Sequence, residues 1–356
     1  MFSELITIKN FFFYQLFIKK MPNEVYPGIF LIREKGSIEA IKPTENIYIL
    51  AGVDGLIFDA GYGDKTTIKY LVSEIKEIEK SYAEQNKPFF LARILVSHCH
   101  PDHFSGLKRI RENLGVKIVL TRKMFELIKN KEAYNKVFET NDTEDYLIVK
   151  RGLWRKALRA IGRKLSDRMY RRFYGIEFID ETDEIIDEYS EILINNEVWK
   201  IFPSPGHAID HISLYNSEKG ILFSGDNILS SITTWLGPPN CNITDYVKSV
   251  EIIQELPNLK IILAAHGSSI TNPKERIEEI LKHRKERKQE VLNLINENSA
   301  HGMSPSEIIQ ALYPHGKMLI RGVARGWICL TLKMLEFENL IKRDIGKREI
   351  LFFPVK

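Results

Sequence analysis

Apolar residues recur along this chain in two kinds of block. Short runs rich in Ile, Val, Leu and Phe, bounded by Gly, Asn or Asp, predict buried strands. They fall at Gly28–Glu34, Asn46–Gly52, Gly55–Gly61, Ala92–His98 and Val116–Arg122, and after a long middle segment in "VWKIFPSPGH", "ISLYNSEKGILFSGD" and "KIILAAHG". Asp54–Gly55 reads as the turn of a hairpin within "LAGVDGLIF". Helical spacing takes over in Lys65–Lys80, after the cluster that follows Ala92–His98, and again from Pro273. There "RKQEVLNLINEN", "SPSEIIQALYP" and "GVARGWICLTLKMLEFENL" read as three helices, and "IKRDIGKREILFFP" as a closing hairpin. Ser304–Pro305 with Glu307 supplies the start of the second of these helices. Two sets of strands separated by helices predict an α/β protein with sheet packed on sheet and helices outside. A boundary near Thr271–Pro273 divides the chain into a larger domain over 21–272 and a smaller one over 273–356.

Composition changes this picture little. A chain of 356 residues has room for one large core and a second, smaller domain. With 44% hydrophobic and 28% charged residues it has the make-up of an ordinary folded protein. Its net charge of +4 is too small to argue for nucleic acid by itself. Cys99, Cys241 and Cys329 are widely spaced and odd in number, which argues against a disulfide framework and for a reducing, cytoplasmic setting. The apolar patch Phe11–Ile18 falls well short of the roughly 20 residues that a bilayer crossing needs. It also lacks the basic leader and cleavage site of a signal peptide. Residues 1–20 are therefore expected to be an N-terminal extension ahead of Met21, and no transmembrane segment is expected.

The chemistry is concentrated in residues 96–106, "VSHCHPDHFSG", which hold three of the chain's nine histidines. The cluster lies where a predicted strand hands over to a predicted helix, a common place for functional side chains in α/β proteins. In an extended segment His98 and His100 face the same side and both imidazoles reach one ion. Asp102 and His103, displaced along the turn, reach a second ion close by. Imidazole with carboxylate suits zinc, with iron and manganese as alternatives. Two ions need more ligands, and the chain offers His207 after "SPG", Asp226 at the end of "LFSGD" and His266 in "LAAHG", each closing an apolar run.

In the order HxHxDH…H…D…H these residues resemble the motif set of the metallo-β-lactamase fold superfamily over about Tyr26–Ser269, and "IFDAG" matches its first motif. The resemblance implies a four-layer αββα sandwich with the site at one edge. It implies that His98, His100 and His207 hold one Zn2+, that Asp102, His103 and His266 hold another, and that Asp226 bridges both. Asp59 would orient a ligating histidine, and His211 would support the site from behind without being a ligand. Two such ions share a hydroxide that attacks the substrate, with Asp102 as the catalytic group that orients the nucleophile and accepts its proton. Cys99, between two ligands, is read as packing, and His283, His301 and His315 as having no metal role.

True β-lactamases of this superfamily generally lack the bridging aspartate, so Asp226 points to the glyoxalase II and lactamase-like hydrolase branches. The implied reaction is hydrolysis of a small ester or thioester, of the acyl-CoA or glutathione type. A metal-dependent ribonuclease acting on RNA is the alternative. A nucleic-acid-binding regulator working through residues 273–356 is a reading of another class, which the complete ligand set argues against. Helix-helix-helix-hairpin resembles the winged-helix appendage of lactamase-like hydrolases; such a module packs on the catalytic domain or closes a homodimer. A basic helical insertion is expected over about 124–196. Within it Trp154, Leu158, Ile161, Leu165 and Met169 recur at helical spacing, opposite a basic face with Arg155, Arg159 and Arg163. That face reads either as a solvated surface or as a lid on a phosphate-bearing substrate. Trp235, in "SITTWLGPPNCN", is a candidate wall of the pocket.

Overall fold

The computed structural model describes residues 23–34, 42–138, 146–147, 169, 171–231, 233–316, 318–346 and 349–355. The expected N-terminal extension and Arg155, Arg159 and Arg163 lie outside the described residues. Strands β1 (Glu24–Tyr26), β2 (Ile29–Arg33), β3 (Asn46–Leu50), β4 (Gly55–Phe58), β5 (Leu91–Leu95), β6 (Lys117–Thr121) and β7 (Glu184–Ile186) form one sheet in chain order. The first four run antiparallel, and β4 to β7 are parallel. A second sheet has the order β12-β11-β10-β9-β8, from β8 (Ser190–Ile194), β9 (Glu197–Pro203), β10 (Ile212–Asn216), β11 (Ile221–Gly225) and β12 (Ile261–Ala264). Only β11 and β12 pair in parallel there. The hairpin expected in "LAGVDGLIF" is β3–β4, with Leu50 opposite Leu56.

The two sheets meet through aromatic side chains. Phe223 of β11 sits 5.1 Å from Tyr48, 5.0 Å from Phe58 and 5.5 Å from Trp199, ring centre to ring centre, so it touches strands of both sheets. Burial of such a cluster supplies the main driving force for closing the sandwich. Helix α1 (Lys65–Glu84) buries Ile68, Leu71, Ile75 and Ile78 against the first sheet, a spacing that keeps one face apolar. It starts at Asp64, whose side chain accepts from the backbone N–H groups of Thr66 and Thr67 and pairs with Lys42. Short helices α2 (Pro101–Phe104), α3 (Leu107–Leu114), α4 (Arg122–Ile128) and α5 (Lys131–Phe138) complete that side. On the second sheet lies α6 (Ile243–Gln254), which the hydrophobic pattern did not announce.

From Pro273 the chain forms α7 (Pro273–Glu297), α8 (Pro305–Leu312), α9 (Met318–Phe337) and the hairpin β13 (Ile341–Ile345)–β14 (Ile350–Pro354). Ser304 and Glu307 cap α8 reciprocally, each side chain bonding the other's backbone N–H. Helix α7 serves two cores. Ile277 and Ile280 pack with Tyr246, Val250 and Ile253 of α6, while Val291 and Ile295 pack with Ile328, Leu332 and Phe352. Within the middle segment 124–196, Glu184–Ile186 and Ser190–Ile194 are not helical: they are β7 and β8, one in each sheet. Tyr146 and Leu147 of the same segment join the apolar cluster formed by α7, α8, α9 and the β13–β14 hairpin. Among the described residues no helix is long and apolar enough to cross a membrane. All three cysteines are buried, and none forms a disulfide among the described residues.

Candidate metal centre

The topology brings strand ends to one edge of the sandwich. Asp59 follows β4, His98 follows β5, Asp226 follows β11 and His266 follows β12, while Glu45 precedes β3 and His207 lies between β9 and β10. Backbone bonds lash these ends together: Asn46 N–H donates to Ala265 O at 2.8 Å and Ile212 N–H to Ser97 O at 2.9 Å. Two glycines let the chains approach closely. A Cβ on Gly206 (φ 133) would lie 2.2 Å from the Tyr246 Cα of α6, and one on Gly225 (φ 49) 2.4 Å from His211 Nε2. Each glycine immediately precedes a site residue, His207 or Asp226.

All seven residues expected to hold metal come together. Nε2 of His98 and Nε2 of His207 each lie 2.9 Å from Nδ1 of His100. Beside this trio, Asp102, His103 and His266 form a second group. Asp226 stands between them: Oδ2 is 3.3 Å from His207 Nε2, and Oδ1 is 3.3 Å from His266 Nε2 and 3.8 Å from His103 Nε2. The second group also contains Glu45, which the motif reading did not single out. Its side chain is fully buried, with Oε2 3.2 Å from His266 Nε2 and Oε1 3.3 Å from His103 Nδ1. The only signal for it in the sequence is an acidic residue directly before an apolar strand, "ENIYIL".

The far nitrogens of the imidazoles are held, which aims the near ones. His207 Nδ1–H donates to Trp235 O at 2.9 Å, and His266 Nδ1–H to Thr44 O at 2.7 Å. Carbonyls accept only, so Nδ1 carries a proton in both and Nε2 faces inward. His98 Nδ1 lies 3.0 Å from Ser97 Oγ, which in turn donates to Asp59 Oδ2. Asp59 Oδ2 is also 3.3 Å from His103 Nδ1, the orienting position expected for it. His211 lies behind the site: its Nε2 accepts from the backbone N–H of Asp226 at 3.2 Å, and its Nδ1 lies 2.8 Å from Ser204 Oγ. Cys99 points into the core towards Met124, with its backbone N–H bonded to the buried carboxylate of Asp210. Trp235 is about half exposed (48%). His283, His301 and His315 join no metal-competent group among the described residues.

Electrostatics separate the two groups. Burial, and then the neighbouring imidazoles, pull His98 and His100 well below the usual histidine range. Burial lowers His207 as well, against the pull of Asp226. That trio is neutral, the state in which imidazole binds a cation. Burial also disfavours charge on His103 and His266, but Asp59 and Asp102 lift the first to about 9, and Asp226 and Asp102 lift the second to about 10. Burial would raise Asp226, yet His266, His103 and His207 hold it well below the carboxylate range. Glu45 is raised far above that range by burial and by Asp59, Asp102 and Asp226 around it.

The donor set fits divalent metal ions. His103 Nε2, Asp226 Oδ1 and both oxygens of Glu45 are buried with no hydrogen-bond partner among the described residues. Such atoms are costly to bury unless a ligand or ion meets them. Imidazoles and carboxylates together suit zinc, iron or manganese.

The family model of the metallo-beta-lactamase superfamily matches residues 44–266. A beta-lactamase-like protein 2 homolog of Caenorhabditis elegans is 23% identical over 83% of this chain and 80% of its own length. The probable metallo-hydrolase YqjP of Bacillus subtilis is 21% identical over 75% of this chain and 80% of its own. Among solved structures, a beta-lactamase domain protein from Burkholderia ambifaria superposes with a TM-score of 0.72 at 19% identity, covering 95% of this chain and 96% of the other. A metallo-beta-lactamase family protein from Thermus thermophilus gives 0.67 at 20% identity, with 93% and 99% covered. At these identities the superpositions establish the shared fold.

Proposed function

This chain belongs to the metallo-beta-lactamase superfamily and is a metal-dependent hydrolase, and from that premise we propose that it works with two metal ions, zinc in the simplest case, on a small ester or thioester. The observation that carries the dinuclear reading is Asp226, whose two oxygens face different donor groups. His98, His100 and His207 would hold one ion. Asp102, His103 and His266, with Glu45 at hand, would hold the other. When bound, such ions lower the pKa of a coordinated water and polarise the substrate's carbonyl oxygen.

The protein's own groups supply position and proton traffic. Asp102 is the most exposed carboxylate of the centre, its side chain 19% accessible against 11% for Asp226 and 0% for Glu45. It is the group best placed to orient an attacking water and accept its proton. Asp59 and the carbonyls of Thr44 and Trp235 keep the rings of His103, His266 and His207 in fixed orientations. Residues 21–272 would carry this chemistry, with 273–356 as an appendage of winged-helix type packed against it through α7.

The test is an assay of the metal-loaded protein against acyl-CoA thioesters, S-lactoylglutathione and single-stranded RNA. Turnover of thioester that disappears with chelator supports the reading. Cleavage of RNA with none of the thioesters would replace it by a ribonuclease.

A further inference from the structure

A cavity of about 440 Å³ opens between the Thr233–Leu236 segment of the larger domain and helices α7 and α9. That volume lies within the range of roughly 300–1,000 Å³ common for small-molecule sites. Its lining is of a particular kind: the cations Arg284 and Arg287, with His283 beside them, and the rings of Trp235, Tyr313 and Trp327.

Arg284 is the telling residue. It is 9% exposed, and among the described residues its hydrogen bond to the protein runs from Nη2 to Thr234 O at 3.2 Å. Among the described residues its Nε has no hydrogen-bond partner and no carboxylate lies within 4.0 Å of it. Its guanidinium rests 5.5 Å from the Tyr246 ring. A buried cation without a counter-charge is expensive, and Arg287, one helical turn on, adds a second positive group. Cζ of Arg287 sits 5.8 Å from the centre of the Tyr313 ring and 5.7 Å from that of Trp327, and its Nη1 donates to Glu290 at 2.8 Å. Burial and then Arg287 pull the proton affinity of Arg284 down, as expected for cations short of an anion.

The wall of this cavity is also the frame of the metal centre. Thr234 Oγ1 donates to Asp226 O at 2.6 Å, and Trp235 O accepts from His207 Nδ1 at 2.9 Å. A molecule seated against Arg284 is therefore one residue removed from two site residues.

We propose that this cavity is a subsite for the phosphate-bearing, planar-ring arm of the substrate, with Arg284 and Arg287 meeting the phosphate and Trp235 and Trp327 flanking the ring. Guanidinium forks match phosphate oxygens, and an exposed indole offers a flat face to a base. This rests on the reading of the metal centre as a hydrolase of esters or thioesters, and narrows it to a nucleotide-bearing thioester over a peptide-like one.

The probe is adenosine monophosphate, titrated calorimetrically into the full-length protein, metal-loaded and after chelation, with adenosine as the uncharged control. The expected result is binding in both preparations, weakened about tenfold or more for adenosine, for Arg287→Ala and for Arg284→Lys. Arg287→Ala alters a partly exposed side chain, so it keeps the test open if the buried Arg284 variant fails to fold. Absence of binding to the chelated protein overturns the proposal. So does binding that ignores Arg287→Ala, or adenosine binding as tightly as its phosphate. Because binding is read without metal, a failed subsite cannot be mistaken for a failed hydrolase.

Discussion

Glu45 Oε2 lies 3.2 Å from Nε2 of His266, yet neither oxygen of that carboxylate forms a hydrogen bond among the described residues. Without a metal ion the carboxyl is a liability: burial and the neighbouring acids disfavour its charge even with the His103 and His266 imidazoles beside it. With a cation it is a candidate oxygen ligand. Glu45→Gln is therefore expected to move stability in opposite directions. The metal-free variant should melt higher than wild type, and its gain on adding metal should shrink, since ligand binding stabilises in proportion to affinity. Affinity for one of two ions should fall by about 10–100-fold, read by competition with a chelating dye. An unchanged metal-induced shift in Tm would remove Glu45 from the centre.

Asp226 faces both donor groups, so its loss should touch both ions. Asp226→Ala is expected to lower the metal content from two ions per chain to one or fewer by elemental analysis. Turnover should drop by more than the ~10–100-fold typical of residues behind the ligands. Two ions retained with full activity would end the bridging assignment.

Glu34 offers a pH test away from the ligands. It is buried, with one oxygen accepting from Tyr62 N–H at 3.2 Å and the other without a hydrogen-bond partner among the described residues. Burial, opposed by Lys42 and reinforced by Asp64 and Asp102, pushes it from 4.5 to about 8. Between those values the folded protein keeps a proton that the unfolded chain has lost. Stability from this group is thus full below pH 4.5 and is lost as pH rises towards 8. Glu34→Gln fixes the neutral form. In the metal-free protein it should raise Tm little at pH 5 and progressively more up to about pH 8. A constant difference across that range would contradict the assignment.

The histidine and aspartate cluster was legible because it sits on strand ends. His98, Asp226 and His266 each close an apolar run, and the pleat and parallel pairing carry those ends to one edge. Glu45 was not legible, because a lone acid before a strand becomes a site residue only when β3 is lashed to the end of β12 through Asn46 and Ala265. Strands β7 and β8 were hidden for another reason. They are three and five residues long, and of their apolar side chains only Ile192 and Ile194 are buried, so the pattern was too weak to outweigh a charged middle segment. The arginine cavity could not be read at all: Thr234 and Arg284 are fifty residues apart in sequence and meet only when α7 packs on the larger domain.

That packing yields the last prediction. Ile277 and Ile280 are almost fully buried against α6, with Leu330 of α9 in the same cluster. Farther along the same helix, Val291 and Ile295 belong to the core of the C-terminal module. A helix that fills two cores couples them, since neither can open without exposing part of the other. Ile280→Ala should cost about 2–5 kcal/mol, the usual range for truncating a buried isoleucine. It should shift one cooperative transition, seen alike by Trp fluorescence and far-UV circular dichroism. Limited proteolysis of the wild type should likewise release no stable fragment ending near Pro273, because such a fragment would lack both isoleucines. Two separate melting transitions, of which Ile280→Ala moves only one, would show that the module is merely appended and that α7 transmits nothing between the halves.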